Sequence, residues 1–271
     1  MAGIRQTSRR HPSAGNVTAR PVLVHPDSTP TSLPPCSFPH GDESNVTAVR
    51  LGPDLDDDAL AKLLGPLDGR RVLELGCGAG GNAVAIAREG ARVIAVDPSN
   101  ARLTRARSAA EMVEVRLEFH HRDLADLACV RADSIDSALA VYSLSSVGDL
   151  SRVFRQLHRV LKPEAPLVIS MPHPLSLMVD WDPAEAPTPW LTRTAWSTDA
   201  VTWMVAGDEG TAHIHQVSDV FTALQRSNFR IDTLLEPEPL LPATQSTSPH
   251  RIETDGWVPP TVVFRARKHG T

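Results

Sequence analysis

A chain of 271 residues with a formal net charge of -5 is long enough for one large α/β domain with its own core, and short for two independent ones. The acidic balance gives no global basic field, which argues against nucleic acid or an anionic membrane as partner and leaves a small molecule as the default. The three cysteines, Cys36, Cys77 and Cys129, form no paired spacing, and no apolar run approaches the roughly 20 residues of a bilayer span, so the reading is a reduced, cytoplasmic protein.

Residues 1–44 are rich in Pro, Ser, Thr and Arg and lack apolar periodicity, which predicts a disordered or loosely packed arm. Arg5, Arg9, Arg10 and Arg20 precede the first acid, and solvated disorder accounts for them better than a nucleic-acid tail. Residues 45–271 then form a single domain. Its first element is a short helix in Asp54-Leu-Asp-Asp-Asp-Ala-Leu-Ala-Lys-Leu-Leu-Gly65, with acids in the first turn and a glycine stop.

The most informative stretch follows: Arg71-Val-Leu-Glu-Leu-Gly-Cys-Gly-Ala-Gly-Gly-Asn82, an apolar strand running into Gly76, Gly78 and Gly80. Glycines so spaced let the backbone take positive φ and are expected to bring bare N–H groups against a ligand at the start of a helix. A second strand, 92–96, ends in Asp97, where a carboxylate can take both hydroxyls of a ribose. At an exposed strand end its loss is expected to spare the fold. The ligand should contain a nucleoside.

Gly76-x-Gly78-x-x-Gly81 also satisfies the dinucleotide fingerprint. Glu74 weighs against it, because a pyrophosphate within about 4 Å of a carboxylate costs roughly 4 kcal/mol at an effective dielectric of about 20. S-adenosylmethionine, with an ammonium and a sulfonium in place of phosphate, turns the same carboxylate into an attraction.

Further strands near 115–120, 135–140 and 166–171 alternate with helices near 80–89, 99–112 and 147–161, the pattern of a parallel sheet covered on both faces. Ser99 caps the second of these helices and Lys162-Pro163 closes the third. Alternation then breaks over 172–216, which holds four of the five tryptophans (Trp181, Trp190, Trp196, Trp203) with little regular periodicity. A helix over 217–226, a strand over 230–235 and a last strand over 261–267 complete the chain.

Together these segments resemble the class I S-adenosylmethionine-dependent methyltransferases, in the small-molecule group similar to the ubiquinone and menaquinone enzymes. The resemblance is carried by Val72-Leu-Glu-Leu-Gly-Cys-Gly-Ala-Gly80, Val96-Asp-Pro-Ser99, Arg122-Asp-Leu124, Arg159-Val-Leu-Lys-Pro-Glu164 and Ser218-Asp-Val-Phe-Thr-Ala-Leu-Gln-Arg-Ser-Asn-Phe229. It implies a Rossmann-like, doubly wound, seven-stranded sheet whose last strand is antiparallel, inserted between the fifth and sixth, with an irregular Trp-rich insertion after the fifth. It also implies Gly76, Cys77, Gly78 and Gly80 beneath the methionine part, with Glu74 and the backbone around Val141 near its ammonium. Asp97, followed by Pro98, would take the ribose, Asp123 the adenine amino group and the Leu124 N–H a ring nitrogen. Where relatives often carry glycine this chain has Asn228, which tolerates the same left-handed helix stop.

Methyl transfer needs a general base only if the acceptor must lose a proton. The candidates are His173, after the fifth strand, and His215, before the late helix. His213 and His215 lack a third convergent ligand, so no metal is expected. Tyr142 either lines the acceptor side or packs in the core, and the 172–216 insertion is read as a lid over a partly apolar or aromatic acceptor. The sequence leaves open a homodimer, and a cofactor-binding subunit that has lost turnover; a nicotinamide oxidoreductase is the weaker alternative.

Overall fold

The structure is a computed structural model that describes residues 48–180, 188–196, 200–205, 208–246 and 256–270. The expected arm over 1–44 and Trp181 lie outside the described residues. Seven strands make the main sheet: β1 (Arg71–Leu75), β2 (Arg92–Asp97), β3 (Leu117–His121), β4 (Ser137–Val141), β5 (Pro166–Pro172), β10 (Phe229–Leu235) and β11 (Thr261–Lys268). Their order is β10-β11-β5-β4-β1-β2-β3, with β11 antiparallel to both neighbours and the pairs from β5 to β3 parallel. This is the doubly wound topology that the resemblance implies.

Every second residue of the central strands faces a different core, as the pleat requires. Leu73, Leu75, Ile94, Val96, Ala138 and Ile169 meet α4 (Leu150–Val160) and α5 (Val217–Arg226) on one face through Phe154, Leu157 and Leu224. Val72, Val93, Ala95, Leu139 and Val168 meet the other face, covered by α1 (Asp57–Ala61) and α2 (Gly81–Arg88), with Leu103 of α3 (Asn100–Met112). Strands buried on both sides read as near-continuous apolar runs, which is why they were visible in sequence.

Three expectations change. The helix expected over 147–161 begins at Leu150, because Asp149 caps it by accepting from the Ser151 N–H (3.0 Å), and Ser143–Ser146 forms a separate 3-10 turn. The third strand starts two residues later than expected, at Leu117. The insertion is not irregular throughout: β6 (Val179–Asp180) pairs with β7 (Trp190–Leu191), and β8 (Val201–Val205) with β9 (Asp208–Ala212), both antiparallel. Asn228 does take the left-handed conformation, at φ 59°.

Candidate functional site

Parallel strands open their carboxyl ends to one edge of the sheet, and the loops there meet at β1, β2 and β4. Gly76, Gly78 and Gly80 have φ of 70°, 57° and 93°. At Gly76 a Cβ would lie 2.1 Å from the Ser143 Cβ, so the turn is needed for conformation and for space. Ser143 locks the same junction by donating its Oγ–H to the Leu75 carbonyl (2.6 Å).

The glycine loop does not present a row of bare amides, as expected from its sequence. Gly76 N–H donates to the Val96 carbonyl (2.7 Å), Cys77 N–H to the same oxygen (3.4 Å) and Gly80 N–H to the Cys77 carbonyl (2.9 Å). Gly78 N–H donates to Asp97 Oδ2 (2.9 Å). These four donors hold the loop in its own shape.

Asp97 differs from expectation too. It is fully buried, and besides Gly78 it accepts from the Ser99 N–H at Oδ1 (2.8 Å). It is buried rather than exposed, and so is a structural tie between the glycine loop and the β2 turn as well as a ribose candidate, whose loss is expected to weaken the fold. Burial raises its pKa. Ser99 caps α3 at the Arg102 N–H (3.3 Å), and Pro98 is exposed, its carbonyl accepting from His121 Nε2 (2.9 Å).

Glu74 lies at the heart of the site. It is buried, its Oε2 has no hydrogen-bond partner among the described residues, and the Ala83 N–H supports the carboxylate. Burial, reinforced by the Asp97 charge, pushes its pKa up to about 8. A buried, incompletely satisfied carboxyl calls for a cation or a donor. Cys77 is buried as well, and burial with the two carboxylates pushes its thiol well above the ordinary range, which excludes a ready thiolate.

At the neighbouring edge Asp123 is exposed, with one oxygen in a turn accepting from the Ala125 N–H (2.8 Å), while Leu124 is buried. The Arg122 N–H donates to the Asp97 carbonyl (3.3 Å), so the ends of β2 and β3 lie together. Val141 is buried at the end of β4, and Tyr142 beyond it is fully enclosed at φ 58°, its hydroxyl 2.7 Å from Thr261 Oγ1. Tyr142 belongs to the core.

The two histidines belong to different loops. His173 is buried; its Nδ1 accepts from the Leu175 N–H (3.1 Å), so its proton sits on Nε2, which meets Glu236 Oε1 at 2.9 Å. Both ring nitrogens are thereby occupied. His215 Nε2 donates to the Val147 carbonyl (2.7 Å), which leaves the lone pair of a neutral ring on Nδ1, and burial lowers its pKa. It shares a groove of about 510 Å³ with His213, Asp149 and Arg226. Among the described residues no three metal-ligating side chains converge.

Sequence reasoning missed Asn82, Ser143 and Glu236. Asn82, directly after the glycine loop, clips the backbone of Arg50 from both sides: its Oδ1 accepts from the Arg50 N–H (2.8 Å) and its Nδ2 donates to the Arg50 carbonyl (2.9 Å).

Residues 72–164 match a family described as a methyltransferase domain. This segment belongs to that methyltransferase domain family. The ubiquinone biosynthesis O-methyltransferase of Alkalilimnicola ehrlichii is 34% identical over 113 residues, 42% of this chain and 46% of that one. The demethylmenaquinone methyltransferase of Clavibacter sepedonicus is 35% identical over 113 residues, 41% and 44% of the two chains. The matches thus span somewhat under half the length of these curated relatives. An S-adenosylmethionine dependent methyltransferase from Mesorhizobium loti has a TM-score of 0.64 and 27% identity, covering 78% of this chain and 96% of that one. For the methyltransferase domain the cofactor is S-adenosylmethionine, and its residues fit: an unsatisfied buried carboxyl suits a cation.

Proposed function

We propose that the protein transfers a methyl group from S-adenosylmethionine to a small-molecule acceptor bound beneath the 172–216 insertion. The observation that carries this is Glu74: a buried carboxyl near the end of β1 with one oxygen that has no partner among the described residues. The bound cofactor supplies an activated methyl carbon. Glu74 and the backbone at Val141 would face its ammonium, the loop of Gly76, Cys77, Gly78 and Gly80 would floor the methionine part, Asp97 and Pro98 would border the ribose, and Asp123 with Leu124 the adenine.

Most of the rate enhancement then comes from alignment and exclusion of water, which can supply roughly 7–11 kcal/mol. The last residues of the insertion are tied to the loop after β4: His213 N–H donates to the Ser145 carbonyl (2.7 Å) and His215 to that of Val147. That anchoring supports a lid, and Trp190 and Trp196 support a partly apolar or aromatic acceptor. His215 is the better base if the acceptor must lose a proton, while His173, held between Leu175 and Glu236, fixes the loop. The free, buried Cys77 thiol supports a cytoplasmic setting, and no helix among the described residues is long and apolar enough to cross a membrane.

The test is calorimetric binding of S-adenosylhomocysteine and of NAD, followed by a panel of acceptors with labelled methyl donor read by mass spectrometry. Binding of S-adenosylhomocysteine alone and label in an acceptor support the reading. Binding of NAD instead would reject it, and S-adenosylhomocysteine binding with no label in any acceptor would favour a non-catalytic subunit.

A further inference from the structure

The amino ends of the strands carry a feature that methyl transfer does not use. Between Lys62, at the end of α1, and the starts of β1 and β5 lies a pocket of about 370 Å³, also lined by the late part of β11. Arg267 pairs with Pro166 at the first residue of β5, and Arg70 directly precedes β1. Strand β5 has seven residues at about 3.3 Å each, so this pocket lies roughly 20 Å from the carboxyl edge where Gly76 and Asp97 sit.

Its lining is basic in a chain that is acidic overall. Lys62, Arg70, Lys162, Arg265 and Arg267 meet there with the carboxylates of Asp136 and Glu164. Asp136 is shared between Lys162 (2.6 Å) and Arg70 (3.5 Å), and also accepts from the Arg71 N–H (2.9 Å). Glu164 pairs with Arg230 (3.0 Å). One further carboxylate, Asp232, holds Arg265 and Arg267 together, each through its Nε at 2.7 Å. Arg267 also donates an Nη1 hydrogen to the Glu164 carbonyl (3.0 Å). Binding both arginines at Nε fixes their stems and leaves the Arg265 Nη groups, like the Lys62 ammonium, without a protein partner among the described residues. Five cations against these three carboxylates leave unsatisfied positive charge facing one concavity.

We propose that this pocket is a second ligand site, one that takes the phosphate group of a small di- or polyanion. Arginine forks match phosphate oxygens in pairs, and lysines add point charge at the rim. A dianion matches the charge left over better than a monocarboxylate does. Because it touches α1, β1, β5 and β11 at once, a bound anion ties together elements far apart in the sequence, and its binding must stabilise the fold by mass action.

The experiment is thermal unfolding and isothermal calorimetry of the full chain with inorganic phosphate, pyrophosphate or ATP, at an ionic strength held constant with chloride to cancel general screening. Saturable binding of at least one, with an upward shift in Tm, is expected; phosphate binding as tightly as pyrophosphate assigns a single phosphate, and tighter pyrophosphate or ATP a chain. Lys62→Gln with Arg265→Gln should weaken that binding roughly tenfold or more, while S-adenosylhomocysteine affinity stays within about twofold. Should the double variant fail to fold, Lys62→Gln alone, on an exposed side chain, should still weaken it about threefold. The proposal is overturned if no phosphate compound binds saturably up to about 10 mM, or if the variants bind it as tightly as the parent.

Discussion

Glu74 sets the strongest pH dependence of the site. Its pKa, raised to about 8 by burial first and by Asp97 second, means that the ligand-free protein folds with this carboxyl protonated at neutral pH. The unfolded chain releases that proton near pH 4.3, so the Glu74 contribution to stability falls as pH rises from there to about 8. A bound ammonium favours the carboxylate and reverses the preference. S-adenosylhomocysteine affinity should therefore rise as pH goes from 6 to about 8, with proton release visible as a dependence of calorimetric enthalpy on buffer. Glu74→Gln should flatten the profile and weaken binding by roughly 1.5–3 kcal/mol; an affinity independent of pH in the parent would place the ammonium elsewhere. At Gly76 the constraint is steric. Gly76→Ala combines positive φ with a Cβ 2.1 Å from that of Ser143, and should cost roughly 2–5 kcal/mol in chemical denaturation. A variant as stable as the parent would show that the junction of β1 and β4 opens freely.

Among the elements, what the sequence displays and what it conceals follow from range. The central strands show because two-sided burial forces apolar runs, and the glycine stop after β1 shows because only glycine fits there. Concealed are the bonds between distant segments: Gly78 to Asp97, Asn82 to Arg50, His173 to Glu236, none of which leaves a periodic trace. The hairpins of the insertion were missed for a related reason, since two-residue strands such as β6 and β7 are held by pairing rather than by pattern. The two histidines separate on the same grounds. His173 joins the loop after β5 to the one after β10, and His215 joins the insertion to the loop after β4. If the acceptor loses a proton to His215, His215→Ala should lower turnover by about 10²- to 10⁴-fold with S-adenosylhomocysteine affinity intact. His173→Ala should instead raise the acceptor KM and lower the melting temperature, and Glu236→Ala should reproduce it. A large kcat loss for His173→Ala at unchanged KM would reassign the base.

For the molecule as a whole, burial shows that the core reaches back at least to Val49. Val49 and Leu51 are fully buried among Val72, Val168 and Val263, and Arg50 between them is clipped by Asn82 at the head of α2. The segment around residue 50 is thus part of the core and braces the glycine loop from behind. Residues 1–40, rich in Pro, Ser, Thr and Arg, precede this brace. Deleting 1–40 should leave both the melting temperature and S-adenosylhomocysteine affinity nearly unchanged. Deleting 1–52 removes two buried side chains worth about 1.5–3 kcal/mol each and leaves both ends of the Asn82 amide unpaired. The loss should reach roughly 3–6 kcal/mol, which lowers Tm by on the order of 10 °C in a domain of this size. Cofactor affinity should fall with it, because Asn82 directly follows the loop that floors the site. Two results would sink this: a 1–52 deletion that melts with the full chain, showing that the segment merely rests on the core, or a 1–40 deletion that loses affinity, showing that the arm itself completes the site.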